Sequence, residues 1–314
     1  MLCLAASVQL LQHIASATDG SDRIGIAAQR SGTAHTLLSV YFQSPQLGWA
    51  VGGGGTIIRT EDGGKRWTSA KSGTSVLLTG VTFPDDRNGW VVGAGGTILF
   101  SVDGGERWRR QLSGTQNTLY AVTFLTPALG WVVGERGLIM RTDDGGRRWS
   151  EQAAVTNANL YGVVFRDPQH GVAVGALGTI LVTDDGGESW QVKDTKSTGT
   201  FFDVGFSDAV TGWVVGNAGA MMLTTDGGES WTDRTLSCIG LCTRVTDLLK
   251  IRFTAPNTGW IVGERGTLYR STDGGGSWAA QPPLGRDSLF GLSFGDARHG
   301  WAVGENGTIQ AIHP

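Results

Sequence analysis

The fold is decided by the stretch Gly48-Trp49-Ala50-Val51-Gly52, a short turn, Thr56-Ile57-Ile58-Arg59-Thr60 and the hairpin sequence Asp62-Gly63-Gly64-Lys65-Arg66-Trp67. Its first glycine recurs at equivalent positions along the chain: Gly48, Gly89, Gly130, Gly171, Gly212, Gly259 and Gly300. These glycines are 41 residues apart, except for one interval of 47. Self-similarity at such a period is typical of solenoids and propellers. The chain therefore consists of seven copies of one unit.

Each unit contains four short apolar segments separated by turn residues. The first segment of every unit ends in a phenylalanine: Phe42, Phe83, Phe124, Phe165, Phe206, Phe253 and Phe294. Short strands bounded by Gly, Pro, Asp and Asn predict an antiparallel meander. Four-stranded sheets repeated around an axis are the blades of a β-propeller. The sequence therefore predicts an all-β, seven-bladed β-propeller of four-stranded antiparallel blades.

The seventh unit lacks its hairpin and its fourth strand, because the sequence stops after the third strand. Residues 24–29 supply a candidate strand. The Arg30-Ser31-Gly32-Thr33 that follows resembles Lys71-Ser72-Gly73-Thr74, at the same distance from the next phenylalanine. An N-terminal strand that completes the last blade would remove the exposed edges of an open array. We therefore expect a closed ring, with residues 22–314 forming a single domain.

Residues 1–21 have the composition of a leader. An apolar segment is followed by Ala15-Ser16-Ala17, which has the small-x-small form of a signal-peptidase site. No lysine or arginine precedes this segment, and Gln9 interrupts it; a start codon placed too far downstream would explain both. An apolar helix or tail is the alternative. We expect an exported protein, periplasmic or secreted.

Composition excludes two classes of partner. The net charge is −3, and no basic run with interleaved aromatic residues is present, so a nucleic-acid partner is not expected. No stretch reaches the roughly 18 apolar residues that span a bilayer. We expect a chain that is peripheral to the membrane at most.

The hairpin box [Ser/Thr]-x-Asp-x-Gly-x-x-Trp occurs six times, and its regular aspartates invite a catalytic or calcium-binding interpretation. These aspartates are Asp62, Asp103, Asp144, Asp185, Asp226 and Asp273. A short carboxylate can accept hydrogen bonds from the backbone of its own turn, while glycine takes the left-handed position. We therefore expect the six aspartates to be structural.

No activated nucleophile is recognisable. A sialidase would need three arginines around a carboxylate, a tyrosine nucleophile with an acidic partner, and an aspartate acid/base. Tyr120 and Tyr161 align with Leu38, Thr79, Phe202, Leu249 and Phe290 of other units and are expected in the core. His170 and His299 occupy equivalent turns, and the five histidines show no metal-ligand spacing. We expect a protein that is not an enzyme and that uses no metal or cofactor.

The first departure from the repeat is a cysteine loop. Trp231 and Phe253 are 22 residues apart, where the other units have 16, and the extra residues include Cys238 and Cys242. An even number of cysteines is consistent with a disulfide in an oxidising compartment, once a leader that carries Cys3 is removed. Reduced thiols or a metal site are the alternatives.

Charge on an innermost strand is the second departure. Three residues before the phenylalanine, most units carry Gly, Ala or Ser, but two adjacent units carry Asp203 and Lys250. Arg252 follows on the same strand face as Lys250. These side chains predict either a charged binding site at the channel mouth or an ion pair between blades five and six. Because buried charges are usually paired, the ion pair is favoured.

The turns between the second and third strands carry the third departure. Glu135-Arg136 and Glu264-Arg265 replace the small residues of other units. In a propeller these turns share a face with the loops that link the blades, including the cysteine loop. Arg136 and Arg265 are therefore candidate binding residues on one rim, although solvated turn residues are the alternative.

The boxes are those of the Asp-box, or bacterial neuraminidase, repeat. The fuller pattern Gly-Trp-x-Val-Gly…Gly-Thr-Ile-Leu-x-Thr-x-Asp-Gly-Gly-x-x-Trp resembles the photosystem II assembly/stability factor family of plants and cyanobacteria, over essentially the whole chain after residue 22. The resemblance implies a non-enzymatic propeller on the lumenal or periplasmic side. Such a propeller assists membrane-complex assembly by binding newly made subunits, with an arginine-rich patch implicated in binding.

The expected function follows from that resemblance. It is a non-catalytic protein-binding factor, monomeric, whose partners are membrane-complex subunits, and it is lumenal in a thylakoid if the organism is phototrophic. An Asp-box glycan-binding protein or sialidase-like glycoside hydrolase is the alternative, and a plain scaffold in an envelope assembly is a third. Because a shared fold does not fix a function, the irregular positions named above carry the site prediction.

Overall fold

The computed structural model describes residues 24–236 and 246–313. These residues form seven four-stranded antiparallel sheets. Blade one contains β2 (Leu37–Phe42), β3 (Gly48–Gly52), β4 (Ile57–Thr60) and β5 (Thr68–Ala70). Blade two contains β6 (Leu78–Thr82), β7 (Gly89–Gly93), β8 (Thr97–Ser101) and β9 (Arg109–Gln111). Blade three contains β10 (Leu119–Phe124), β11 (Gly130–Gly134), β12 (Ile139–Thr142) and β13 (Ser150–Glu151). Blades four and five contain β14 (Leu160–Phe165), β15 (Gly171–Gly175), β16 (Ile180–Thr183) and β17 (Gln191–Lys193); and β18 (Phe201–Phe206), β19 (Gly212–Gly216), β20 (Met221–Thr224) and β21 (Thr232–Asp233). Blades six and seven contain β22 (Leu248–Ala255), β23 (Thr258–Gly263), β24 (Leu268–Ser271) and β25 (Ala279–Ala280); and β26 (Leu289–Asp296), β27 (His299–Gly304), β28 (Ile309–His313) and β1 (Gly25–Gln29).

The N-terminal strand closes the ring, as the sequence predicted. Strand β1 pairs antiparallel with β28, with Gly25 opposite His313 and Gln29 opposite Ile309. The last blade is therefore built from both ends of the described chain. The first strands of neighbouring blades contact one another all around the ring. They consequently line a central channel, which is the environment expected for Asp203 and Lys250.

Each blade presents its connections on two opposite faces. The upper face carries the turns between second and third strands and the loops that link blades. Five of these turns are one-turn 3-10 helices: Gly53–Gly55, Glu135–Gly137, Asn217–Gly219, Glu264–Gly266 and Glu305–Gly307. The lower face carries the turns between first and second strands and the Asp-box hairpins. Among the described residues, no helix is long and apolar enough to cross a lipid bilayer.

Neighbouring blades are joined by tryptophans of the second strands. Trp49 of blade one stacks on Phe83 of blade two, with ring centroids 3.6 Å apart, and its indole Nε1 donates to the carbonyl oxygen of Gly104 at 2.9 Å. Similar stacks join other blades: Trp90 on Phe124, Trp131 on Phe165 and Trp301 on Phe42. Burying 150–250 Å² of indole is worth roughly 4–6 kcal/mol. These contacts therefore make a major contribution to holding the blades in a ring.

Candidate functional site

The Asp boxes bind their own hairpins. In blade one, Thr60 Oγ1 donates to Asp62 Oδ1 at 2.9 Å and accepts from the backbone N–H of Gly64 at 2.8 Å. The backbone N–H of Arg66 donates to the same Asp62 oxygen at 2.9 Å. Gly63 and Gly64 have φ of 74° and 82°, in the left-handed region that favours glycine. The same bonds occur in all six boxes, which agrees with a structural role for these aspartates.

Three of the boxes carry an additional donor. The hydroxyl of Ser189 donates to Asp185 Oδ2 at 2.6 Å, and Asp226 and Asp273 receive equivalent bonds from their own serines. Hydrogen bonding to a carboxylate favours its ionised form. The Ser189 hydroxyl and backbone N–H lower the pKa of Asp185 to about 2, and the pKa values of Asp226 and Asp273 are lowered to about 2 as well.

Substitution of Ser189 by alanine is expected to raise the pKa of Asp185 from about 2 toward the ordinary aspartate value, because the Ser189 hydroxyl is the largest cause of the lowering. The folded-state pKa lies below that of an unfolded aspartate, near 3.9. The Asp185 contribution to stability is therefore present above about pH 4 and is lost as pH falls through the folded pKa. NMR titration of the side-chain carboxyl measures the shift. Asp62, whose box has no such serine, should titrate identically in both proteins.

Asp203, Lys250 and Arg252 come together in the channel, on strands β18 and β22. Asp203 is 5% exposed; its Oδ1 accepts from Lys250 Nζ at 3.3 Å and its Oδ2 from Arg252 at 2.6 Å. The backbone N–H of Ile251 also donates to Asp203 Oδ2, at 3.0 Å. The ion pair between blades five and six that the sequence favoured is therefore present. Lys250 and Arg252 both line the channel, so the cluster leaves one positive charge there.

Burial and pairing act in opposite directions on these pKa values. For Asp203, burial alone would raise the pKa, but Arg252, Lys250 and the Ile251 N–H outweigh it and leave the pKa lowered. For Lys250, burial outweighs the attraction of Asp203 and lowers the pKa. A neighbouring residue must be small at this level, because a Cβ on Gly162 would lie 3.1 Å from the Asp203 Cα. The glycine at position 162 therefore leaves the space that Asp203 occupies.

The upper mouth of the channel is surrounded by the second residue of each first strand. The seven residues are Leu38, Thr79, Tyr120, Tyr161, Phe202, Leu249 and Phe290, all partly exposed. The rings of Tyr120 and Tyr161 have centroids 4.9 Å apart, and those of Tyr161 and Phe202 are 5.9 Å apart. The expectation that Tyr120 and Tyr161 lie in the core is therefore wrong. A backbone irregularity after the first residue of the strand turns them toward the mouth.

Arg136 lies beside this aromatic mouth. The backbone N–H of Arg136 donates to Asn159 Oδ1 at 3.0 Å, and the Asn159 amide reaches the Tyr161 hydroxyl at 3.4 Å. The preceding Glu135 accepts from the Thr118 N–H at 2.8 Å and from the Tyr120 hydroxyl at 3.4 Å. Glu135 therefore fixes the turn to the first strand of its own blade, while the Arg136 side chain is exposed.

Arg136 and Arg265 occupy a strained backbone position. The seven equivalent residues are Gly54, Gly95, Arg136, Leu177, Ala218, Arg265 and Asn306. Arg136 has φ 57° and Arg265 has φ 56°, where a residue with a Cβ costs about 1–2 kcal/mol. The structure does not bring these two arginines together, because blades three and six lie on different sides of the mouth. Strain of this kind concentrates at functional sites and motivates a functional hypothesis.

The described residues do not form a sialidase-like centre. Tyr120 and Glu135 form a tyrosine–glutamate pair, but burial, Glu135 and Tyr161 raise the pKa of Tyr120 to about 12, which disfavours a nucleophilic phenolate. Among the described residues that line the channel, Arg252 is the one arginine, and it is bound to Asp203. His170 and His299 bind the aspartates of their own turns, Asp167 and Asp296, at 2.8 and 2.9 Å. Within residues 24–236 and 246–313, no three potential ligands are grouped to hold a metal ion.

Some predicted features cannot be placed. Cys238, Cys242 and the leader 1–21 lie outside the described residues. Conversely, the aromatic mouth was missed as a candidate site. Its signal is present in the sequence, because three consecutive units place Tyr120, Tyr161 and Phe202 four residues before the strand-ending phenylalanine.

Comparison with solved structures gives the fold. The chain is similar to a YCF48 bound to a D1 peptide, with 21% identity, a TM-score of 0.75, and coverage of 93% of this chain and 95% of that one. It is also similar to YCF48 from Cyanidioschyzon merolae, with 22% identity, a TM-score of 0.76 and coverage of 92% and 99%. A GH74 xyloglucanase from Xanthomonas campestris has 16% identity, a TM-score of 0.68 and coverage of 91% and 53%. At these identities the likeness shows the fold alone.

Sequence comparison gives the family. No curated protein matches the chain. The sequence profile described as photosynthesis system II assembly factor YCF48 matches residues 12–99, 108–158 and 193–279, which is more than half of the chain. The seven-bladed ring and its Asp boxes agree with that match. The chain therefore belongs to the photosynthesis system II assembly factor YCF48 family.

Proposed function

We propose that this chain is a non-catalytic, monomeric protein-binding propeller that assists the assembly or stability of a membrane protein complex. Membership of an assembly-factor family supports the proposal, as does the description of a similar YCF48 as bound to a D1 peptide. The partners are membrane-complex subunits, bound through an extended segment on the upper face. The protein acts after export, on the periplasmic or lumenal side.

The observation that carries the proposal is the juxtaposition of Arg136 with the aromatic mouth. Tyr120, Tyr161 and Phe202 offer partly exposed rings, which are frequent anchors in protein interfaces. Arg136, whose backbone is held by Asn159, provides an exposed cationic side chain for a carboxylate beside them, and arginine is likewise enriched in interfaces. An apolar segment with an acidic group matches both elements. A glycan-cleaving centre would need an activated nucleophile with a lowered pKa, whereas the pKa of Tyr120 is raised.

Replacement of Arg136 and Arg265 by glycine is expected to stabilise the fold and to weaken partner binding. Glycine adopts the left-handed backbone without strain, so each substitution is expected to raise the free energy of unfolding by about 1 kcal/mol. The same substitution removes the cationic side chain. Urea unfolding measures the first effect. If the two arginines had no binding role, the variant would gain stability and bind its partner as well as the original protein does. A gain in stability together with a loss of binding therefore indicates that the arginines act in binding.

Site-specific photo-crosslinking in the native host identifies the partner and the face. A photoreactive residue replaces Leu177, which is 75% exposed on the upper face, or Val102, which is 48% exposed in a lower-face hairpin. We expect the Leu177 probe to capture membrane-complex subunits, and the captured amount to fall several-fold in the Arg136→Gly/Arg265→Gly background. Equal capture by the Val102 probe, or no subunit captured by either probe, would contradict the proposal. The same mass spectra locate the mature N-terminus.

A further inference from the structure

Blade four departs from the repeat at the residue that joins blades. Six units carry Gly-Trp at the start of the second strand, but blade four reads Gly171-Val172. At the preceding junction, Trp131 of blade three stacks on Phe165 at 3.5 Å and donates to the Gly186 carbonyl oxygen at 2.9 Å. Valine at position 172 can do neither. The junction between blades four and five therefore lacks its indole.

Arg166 takes over both contacts of the missing indole. Its guanidinium carbon lies 4.5 Å from the centroid of Phe206, the ring on which a tryptophan at position 172 would stack. Its Nη2 donates at 3.0 Å to the carbonyl oxygen of Gly227, which is equivalent to Gly186. Its Nη1 donates to the carbonyl oxygen of Ala209. Arg166 is thus held over Phe206 by two hydrogen bonds to backbone carbonyl oxygens, where an indole has one N–H to donate.

The exchange leaves a groove on the lower face between blades four and five. The groove has a volume of about 820 Å³, in the range of ligand-binding pockets. Its apolar wall includes Val164, Val182, Phe206 and Val210, and Arg166 also lines it. Val210 is 49% exposed. Because Arg166 lines the groove and is partly exposed, its guanidinium can also interact with an incoming aromatic group.

The rim of this groove is acidic. Its five carboxylates are Asp167, Asp184, Asp208, Asp226 and Glu229, against one guanidinium and one imidazole. Glu229 is also paired with Lys193 at 2.9 Å, so the excess of negative charge lies with the four aspartates. Burial would raise the pKa of Asp167, but hydrogen bonds from Gln169 and His170 outweigh it and lower the pKa to about 2. The Ser230 hydroxyl and backbone N–H lower the pKa of Asp226 to about 2, so both aspartates remain anionic at physiological pH. Within the described part of the chain, Asp184 forms no hydrogen bond or ion pair and is exposed. The rim therefore favours a cationic partner.

We propose that this groove is a second protein-binding site, which takes an aromatic side chain flanked by lysine or arginine in a segment of a partner protein. The aromatic ring enters the groove and packs against the Arg166 guanidinium that lines it. The flanking cations pair with the acidic rim. The site lies on the face opposite the aromatic mouth and recognises the opposite charge, so it is independent of the function proposed above.

Methyl NMR of the full chain tests the site with model peptides. Acetyl-Lys-Trp-Lys-amide is expected to shift the methyl signals of Val164, Val182 and Val210, while the upper-face Leu177 signal stays in place. It should bind at least tenfold more tightly than Lys-Ala-Lys, which lacks the ring, or Glu-Trp-Glu, which reverses the charge. Raising the salt concentration should weaken binding, because the rim contribution is screened.

A matched variant closes the groove with residues that this fold already uses. Val172→Trp combined with Arg166→Leu rebuilds the Trp131 and Leu125 pair of blade three. The variant is expected to unfold at the same or a higher urea concentration and to lose peptide binding at least tenfold. Asp184→Lys, at an exposed position, is expected to weaken binding three- to tenfold without affecting folding.

Three results would overturn the proposal: similar affinity for all three peptides, shifts confined to Leu177, or undiminished binding by both the rebuilt variant and Asp184→Lys. An Arg136→Gly/Arg265→Gly chain should bind Lys-Trp-Lys normally. The crosslinking experiment therefore tests the upper-face function, and the peptide titration tests the groove independently of it.

Discussion

Substitution of Asp203 by asparagine is expected to lower the free energy of unfolding by about 3–5 kcal/mol, the usual cost of removing one member of a buried ion pair. The reason is that Lys250 and Arg252 would remain in the channel wall without their counter-ion. An amide could still accept from the Ile251 N–H, so the loss would come mainly from charge. Urea unfolding at pH 7 followed by tryptophan fluorescence measures it.

The matched control removes the whole cluster. Asp203→Ala, Lys250→Ala and Arg252→Thr together install the residues that blade three has at the same positions, Ala121 and Thr123. Because no charge is left buried without a partner, this triple variant is expected to recover most of the stability lost in Asp203→Asn. A loss below about 1 kcal/mol in Asp203→Asn, or a triple variant as unstable as the single one, would show that the pair contributes little.

The dependence on pH has a definite sign. The pKa of Asp203 is lowered in the folded protein, since its cationic partners outweigh burial. Its contribution to stability is therefore present above the pKa of an unfolded aspartate, about 3.9, and lost as pH falls through the lower folded value. The difference in stability between the original protein and Asp203→Asn should narrow as the pH is lowered below about 4.

The repeat made the architecture readable from the sequence. Glycines that need positive φ and tryptophans that need a partner ring recur at fixed spacing, so local chemistry and global fold agree in every unit. The incomplete seventh unit likewise pointed to ring closure. The ion pair of Asp203 with Lys250 was predictable for a related reason, since charge at an innermost position must find a partner.

Features that depend on the contact between blades could not be predicted in the same way. Tyr120 and Tyr161 alternate as core residues would, and only the irregularity after the first strand residue turns them to the channel mouth. The exchange of Val172 and Arg166 is visible in the sequence as a missing tryptophan. The consequence of that missing tryptophan can be recognised only from the contact with the next blade. There Arg166 replaces the indole on Phe206, which lies 40 residues further along the chain.

Deletion of residues 1–29 is expected to open the ring, whereas deletion of residues 1–22 is expected to leave it closed. The longer deletion removes β1 and so leaves five residues of β28 without their paired strand, at a cost of about 3–5 kcal/mol if each backbone hydrogen bond contributes roughly 1 kcal/mol. It also removes Gln29, whose amide donates to the Gly63 carbonyl at 2.9 Å and accepts from the Trp67 indole at 3.2 Å. Blade seven would then lose both its fourth strand and a side-chain link to blade one.

The two truncations differ by seven residues, so their comparison isolates the closing strand. Without β1, the backbone of β28 becomes an exposed edge that can pair with another chain. We therefore expect the longer deletion to unfold at lower urea concentration and to self-associate in light scattering. The shorter one is expected to match the full chain in both measurements. Equal stability of both would mean that β1 does not hold the ring closed. Equal loss in both would mean that residues 1–22 stabilise the folded domain, whereas the boundary predicted from the repeat assigns to it only residue 22 of these.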